Sequence, residues 1–325
     1  MARWLVGAYT ADMDGTARGI ATLESSPDGS LTNTGLLVEA DSPSYLATDG
    51  TTVFAALEAA NRVASFGLDG TSIASSPAGG IAPCHLLFAG DVLLASCYVD
   101  GAVGVLGTEP LSLVQSVPGE GAGPHPVQDG PHAHSTLLLD DATVLSADLG
   151  ADRLHVHRLA SGRLTRVSSL ALPAGTGPRD IRLLSSGRLL VLAELGLEVF
   201  TIAWDGTALT ILGRTAVPGR APGDHAAEVS LGADERFAYV GLRGSNRIGV
   251  LAVAPDGTLA PVASVDCGGD WPRHHVVDGD LLHVANQRSS TVASFRLGAD
   301  GIPTPIAEPI HVDSPTFLLR VFSEG

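Results

Sequence analysis

The feature that most constrains this chain is a repeat that runs through all of it. Six segments open on a turn holding Pro or Asp and pass straight into an apolar run. They are SPSYLATDG from Ser42, APCHLLFAG from Ala82, GPHAHSTLLL from Gly130, GPRDIRLLSS from Gly177, GDHAAEVSLG from Gly223 and WPRHHVVDG from Trp271. A seventh, SPTFLLRVF, starts at Ser314. Successive starts lie 40 to 48 residues apart, the length of four short strands with their turns. Each unit keeps one internal order. An apolar strand such as SGRLLVLAEL or ERFAYVGLR precedes an alternating one such as RLHVHRL or RIGVLAV, and an Asp-Gly or Ser-Gly turn then leads to a last strand and a Pro/Gly-rich link. Period-two alternation marks half-buried strands, and Asp-Gly suits hairpin turns.

The seventh start has no room for a complete unit after it. Residues 1–41 supply what is missing: RWLVGAYT, GIATLESS and SLTNTGLLVE. The expected fold is therefore all-β, a seven-bladed β-propeller of four-stranded antiparallel blades. PTFLLRVF is expected to pair with the N-terminal strands and close the ring, which removes exposed sheet edges. No linker or low-complexity stretch interrupts the pattern, so residues 1–325 read as a single domain, and no helix is expected.

Composition narrows the function. A formal net charge of -16 repels phosphate backbones and anionic membranes, so neither nucleic acid nor membrane is an expected partner. A small anionic substrate would be drawn only by a local cluster of Arg. No apolar run reaches 18 residues, and MARWLVGAYTADMDG is not a basic-then-apolar leader. The odd set Cys84, Cys97 and Cys267 has no metal-ligand spacing, which points to the cytoplasm. A monomer or weak homo-oligomer is expected.

In a blade, the start of the first strand and the end of the second lie at one rim of the central channel. The positions after the opening turn are Ser44, Cys84, His132, Arg179, Arg273 and Thr316, with His225-Ala226-Ala227-Glu228 in the odd blade. The second strands end at Glu58, Cys97, Asp148, Glu194, Leu242 and Asn286, with Arg243 and Gln287 next in sequence. For a chain with only 17% charged residues this is a dense set, and titratable groups gathered in an apolar-walled concavity mark a candidate site. His134 lies two residues beyond His132, on the same face if both are in a strand. An H-x-H pair can bind a metal, but no further ligand has the spacing, so hydrogen bonding or base chemistry is preferred. His85, His274, His275 and His283 are expected to point into blades or solvent.

These residues carry a family resemblance. GPHAHS (130–135), GTGPRDIRL (175–183), AEL (193–195), HAAEVSL with YVGLR (225–243) and GGDWPRHHV with VANQ (268–287) are similar to the propeller-type lactonases. That family includes bacterial 6-phosphogluconolactonase and the fungal carboxymuconate lactonising enzyme. The resemblance implies a metal-free, cofactor-free site with His132, Arg179, Glu194 and Arg273 at the proposed functional positions. His134, Asp148, Glu228, Arg243 and Gln287 would contact substrate. The chain has Ala193-Glu194 where the family usually has Asn-Glu, and its turn Leu195-Gly196-Leu197 is short.

The implied activity is hydrolysis of a sugar lactone, foremost 6-phosphogluconolactone. Glu194 or His132 would activate water, one Arg would polarise the carbonyl, and the other would hold an anionic group. Two other readings share the residues. One is a muconate-type lactonising or cycloisomerase activity. The other is a non-catalytic binding module, which gains if Glu194 and His132 are both tied up and no space for a ligand remains.

Overall fold

The computed structural model describes residues 2–321, and in it the repeat becomes seven antiparallel sheets. The innermost strands of blades 1 to 6 are Pro43–Thr48, Pro83–Ala89, Ala133–Asp140, Pro178–Leu183, His225–Leu231 and Pro272–Asp278. Three more strands follow outward in each. In blade 6 the outer edge is split, so that Pro303–Pro305 and Ile310–His311 both pair with Thr291–Leu297. Among the described residues the only helical turn is Ala11–Met13.

Blade 7 is built from both ends of the chain. Pro315–Val321 pairs antiparallel with Arg3–Ala8, with Leu5 opposite Leu319, and Gly19–Ser25 and Leu31–Glu39 follow outward. The ring therefore closes as the repeat predicts; Phe322, the last residue of the closing motif, lies outside the described residues. Each innermost strand packs on the next, and Pro315–Val321 packs on Pro43–Thr48.

Packing explains the closure. Seven apolar clusters each span one blade-to-blade interface. Phe200, Leu189 and Val191 of blade 4 pack on Leu145 and Val156 of blade 3, and Trp4 and Leu318 of blade 7 pack on Ala285 and Val292 of blade 6. An open array would leave two such faces in water, at about 25 cal/mol per Å² of apolar surface. The Asp-Gly turns behave as expected. At Asp69-Gly70 and Asp256-Gly257 the glycines sit at φ 88° and 84°. Each Asp carboxylate accepts the N–H two residues on, at 2.9 Å.

The feature that builds the axial site is a bulge. In every innermost strand the register slips by one just after the strand begins, as between Pro178 and Asp180 opposite Ala193 and Leu192. A bulge re-aims the extra residue. The extra residues are Ser44, Cys84, His134, Arg179, Arg273 and Thr316, and in blade 5 the slip falls at Ala227–Glu228.

Candidate active site

The seven bulges line an axial chamber. Its wall is the bulge layer, with Ala227 in blade 5, and the residues next in sequence: Tyr45, His85, Ser135, Asp180, Glu228, His274 and Phe317. Room for water in it is about 30 Å³. That holds about two waters, since one needs roughly 10–15 Å³ measured this way. The Oγ atoms of Ser44 and Ser135 are buried there with no partner among the described residues.

Above the bulges lies a rim. Tyr9, Glu58, Tyr98, Leu149, Glu194 and Gln287 each follow a second strand and donate N–H to the residue preceding the innermost strand, at 2.8 to 3.1 Å. Arg243, opposite His225, holds this position in blade 5. Glu194 is the hub. Its carboxylate takes Arg179 Nη1 at 3.0 Å, Arg243 Nη2 at 2.8 Å and His225 Nδ1 at 3.1 Å. Across the mouth, Arg273 Nη2 donates to the Tyr9 hydroxyl at 2.5 Å, and that hydroxyl donates to Glu58 at 3.0 Å. Arg273 also lies over the Tyr9 ring at 4.7 Å, with Glu58 Oε2 3.9 Å away. Arg243 lies 5.5 Å from the centroid of the Trp271 ring, which also carries Arg288 at 3.4 Å. Three guanidiniums thus meet two carboxylates, which leaves one positive charge at the mouth of an acidic protein.

Burial and charge set the protonation states. Burial pushes the Glu194 carboxyl up, but Arg243, Arg179 and the His225 hydrogen bond outweigh it and hold the group well below the usual carboxylate range. Glu228 goes the other way. Burial first, then the neighbouring Asp180, raise it to about 8, against the lowering effect of Arg182 and Arg179. Burial and nearby guanidiniums hold His134 and His274 well below the usual imidazole range, so both are neutral. A guanidinium only donates, so His134 Nε2, 2.9 Å from Arg179 Nη1, accepts, and the proton of His134 sits on Nδ1.

The structure brings Arg179, Glu194, Arg243 and Arg273 together, with Glu228 and His134 just below and Gln287 on the rim. It corrects several placements. His132 does not face the axis: its strand starts at Ala133, which takes the slot filled by Pro in most blades, so His134 is the bulged residue. His132 stacks on Tyr98 at 4.5 Å, and its ring nitrogens lie 2.7 and 2.9 Å from the carbonyls of Tyr98 and Val127. Asp148 is one residue short of the rim, and in a strand that turns a side chain to the opposite face. Its carboxylate holds the N–H groups of His132 and Ala151 at 2.8 and 3.0 Å. The same slip puts Tyr98, not Cys97, on the rim. His85 and His274 line the chamber rather than the blades. His225, which the odd blade offered only as part of a run, joins the hub. Among the described residues no group of three or more His, Cys, Asp or Glu is arranged to hold a metal ion.

Comparison with known proteins bears on this arrangement. A family model described as "Lactonase, 7-bladed beta-propeller" matches residues 3–320. A 6-phosphogluconolactonase of Bacillus subtilis is 30% identical over 315 residues, which covers 89% of each chain. Among solved structures, a Lactobacillus plantarum protein is 26% identical with a TM-score of 0.92, covering 99% of this chain and 100% of that one. The periplasmic gluconolactonase of Pseudomonas aeruginosa is 27% identical with a TM-score of 0.90, covering 99% of each.

Proposed function

Because this chain belongs to the seven-bladed β-propeller lactonase family, we propose that it hydrolyses a sugar lactone at the axial mouth, foremost 6-phosphogluconolactone to 6-phosphogluconate. The observation that carries the reading is the surplus positive charge among Arg179, Arg243 and Arg273. In a chain of net charge -16, that is where an anionic sugar would be drawn. Glu194 and His132 are both tied up, and the chamber below the rim has room for about two waters, a pattern that a binding module would also give. On the lactonase reading the lactone sits at the rim above the bulges, where Arg273 and His225 are partly exposed, and neither Glu194 nor His132 serves as the base.

Arg273 and Arg179 divide the work, while Arg243 stays paired with Glu194. Arg273 is 18% exposed and its nearest carboxylate is 3.9 Å away, so it is the cation open to an incoming phosphate. Arg179, 6% exposed and fixed against Glu194, is the one that polarises the lactone carbonyl. All three cysteines are free, which supports a cytoplasmic setting.

The test is a lactone panel with and without a 6-phosphate, corrected for spontaneous opening. Arg273→Ala should raise KM for the phosphorylated lactone about tenfold to a hundredfold, the worth of a charge-assisted hydrogen bond, with a smaller effect on glucono-δ-lactone. Equal rates for wild type and Arg273→Ala on the phosphorylated lactone would remove the assignment.

A further inference from the structure

We propose that His225 is the general base of this site and that Glu194 is its positioning residue. The inference rests on the lactonase reading and names a group that the sequence left unassigned. His225 precedes the bulge in blade 5, where Ala226 replaces the usual Pro. His132 holds the same slot in blade 3, where Ala133 does. Both lean on the rim residue of the preceding blade, but their surroundings differ. His132 is buried, with a carbonyl against each ring nitrogen. The His225 side chain is 33% exposed and only its Nδ1 is engaged, 3.1 Å from Glu194 Oε1.

That contact fixes the tautomer. Glu194 is held ionised, and a carboxylate only accepts, so the proton of His225 sits on Nδ1 and the lone pair on Nε2. No described residue bonds Nε2. The other imidazoles around the axis are spent. His134 accepts from Arg179, and His274 Nδ1 accepts the Leu318 N–H at 3.2 Å. His85 is buried, and burial first, then Arg182, push it to about 3. The two oxygens of Glu194 meanwhile set His225 beside Arg179, so base and carbonyl-polarising cation share one carboxylate.

The chemistry follows from this placement. His225 Nε2 takes a proton from water as the water oxygen bonds to the lactone carbonyl carbon, and Arg179 stabilises the oxyanion. Collapse breaks the ring ester bond, and the departing ring oxygen takes the proton back from Nε2. The product is the open hydroxy acid, with no other reactant consumed.

The experiment combines kinetics and NMR on the full chain. With 6-phosphoglucono-δ-lactone, His225→Ala should lower kcat about a hundredfold with little change in KM, the usual worth of a general base. Imidazole added to His225→Ala should restore part of the rate. Glu194→Ala should lower kcat too, but removing both should cost little more than removing His225 alone, because the pair acts as a unit. Nitrogen-15 spectra of the wild type should show His225 protonated on Nδ1 in its neutral form. Hydrolysis retained by His225→Ala, or a neutral form protonated on Nε2, overturns the proposal and leaves the lactonase reading standing. A wild type no faster than spontaneous opening on every lactone overturns both.

Discussion

At the residue scale, two mostly buried glutamates beside the axis are driven in opposite directions by their neighbours. Glu194 is clasped by two guanidiniums and an imidazole and stays ionised. Glu228 shares Arg182 with Asp180, which adds a like charge to the cost of burial. Its folded-state value, about 8, lies above the unfolded one. Its neutral form is thus favoured by folding, and that stability is full below the ordinary carboxylate range and lost as pH rises through about 8. Glu228→Gln removes this titration. The melting temperatures of wild type and variant should lie closest in acid, and the wild type should fall progressively behind as pH rises from the ordinary carboxylate range to about 8, the gap levelling off above it. A gap independent of pH would show that Glu228 does not titrate there. These contrasts had no sequence signal: a Glu near an Arg looks alike in both cases, and only the third neighbour decides.

At the element scale, most of the site was legible because it rides on the repeat. Pro-Arg at 178–179 and 272–273 marks a bulge, Glu194 follows the second strand of blade 4, and Arg243 ends that of blade 5. Of the misplaced residues, His132 falls in blade 3, where Ala133 stands at the marker position and Pro131 offered a false one, while Cys97 and Asp148 each lie one residue short of the rim positions that Tyr98 and Leu149 take. With period-two geometry a small slip in register is enough to put the wrong side chain on the axis. The link between blades 3 and 4 shows how tightly the rim is set. Gly177 has φ 61°, a Cβ there would come within 2.8 Å of Leu195 Cγ, and its carbonyl holds the Glu194 N–H at 2.8 Å. Gly177→Ala should therefore cost about 1–2 kcal/mol for the left-handed conformation alone, measured by urea unfolding, and should lower lactone hydrolysis by shifting Glu194. Unchanged stability would mean that the turn relaxes without strain.

At the scale of the whole molecule, closure turns a linear spacing into a site. Arg179 and Arg273 are 94 positions apart in the chain. They meet over one mouth because each stands at the same point of a different blade and the ring has a single axis. The need for closure was visible in the incomplete seventh unit, whereas the size of the chamber was not, since it depends on how far bulged side chains reach across the axis. The central claim is that this shared mouth opens lactones, and the rate of 6-phosphoglucono-δ-lactone opening tests it most directly. The account predicts that wild type runs well above the spontaneous rate and that a folded Arg179→Ala/Arg273→Ala variant falls to it. A variant as fast as wild type, or a wild type no faster than water, would contradict it.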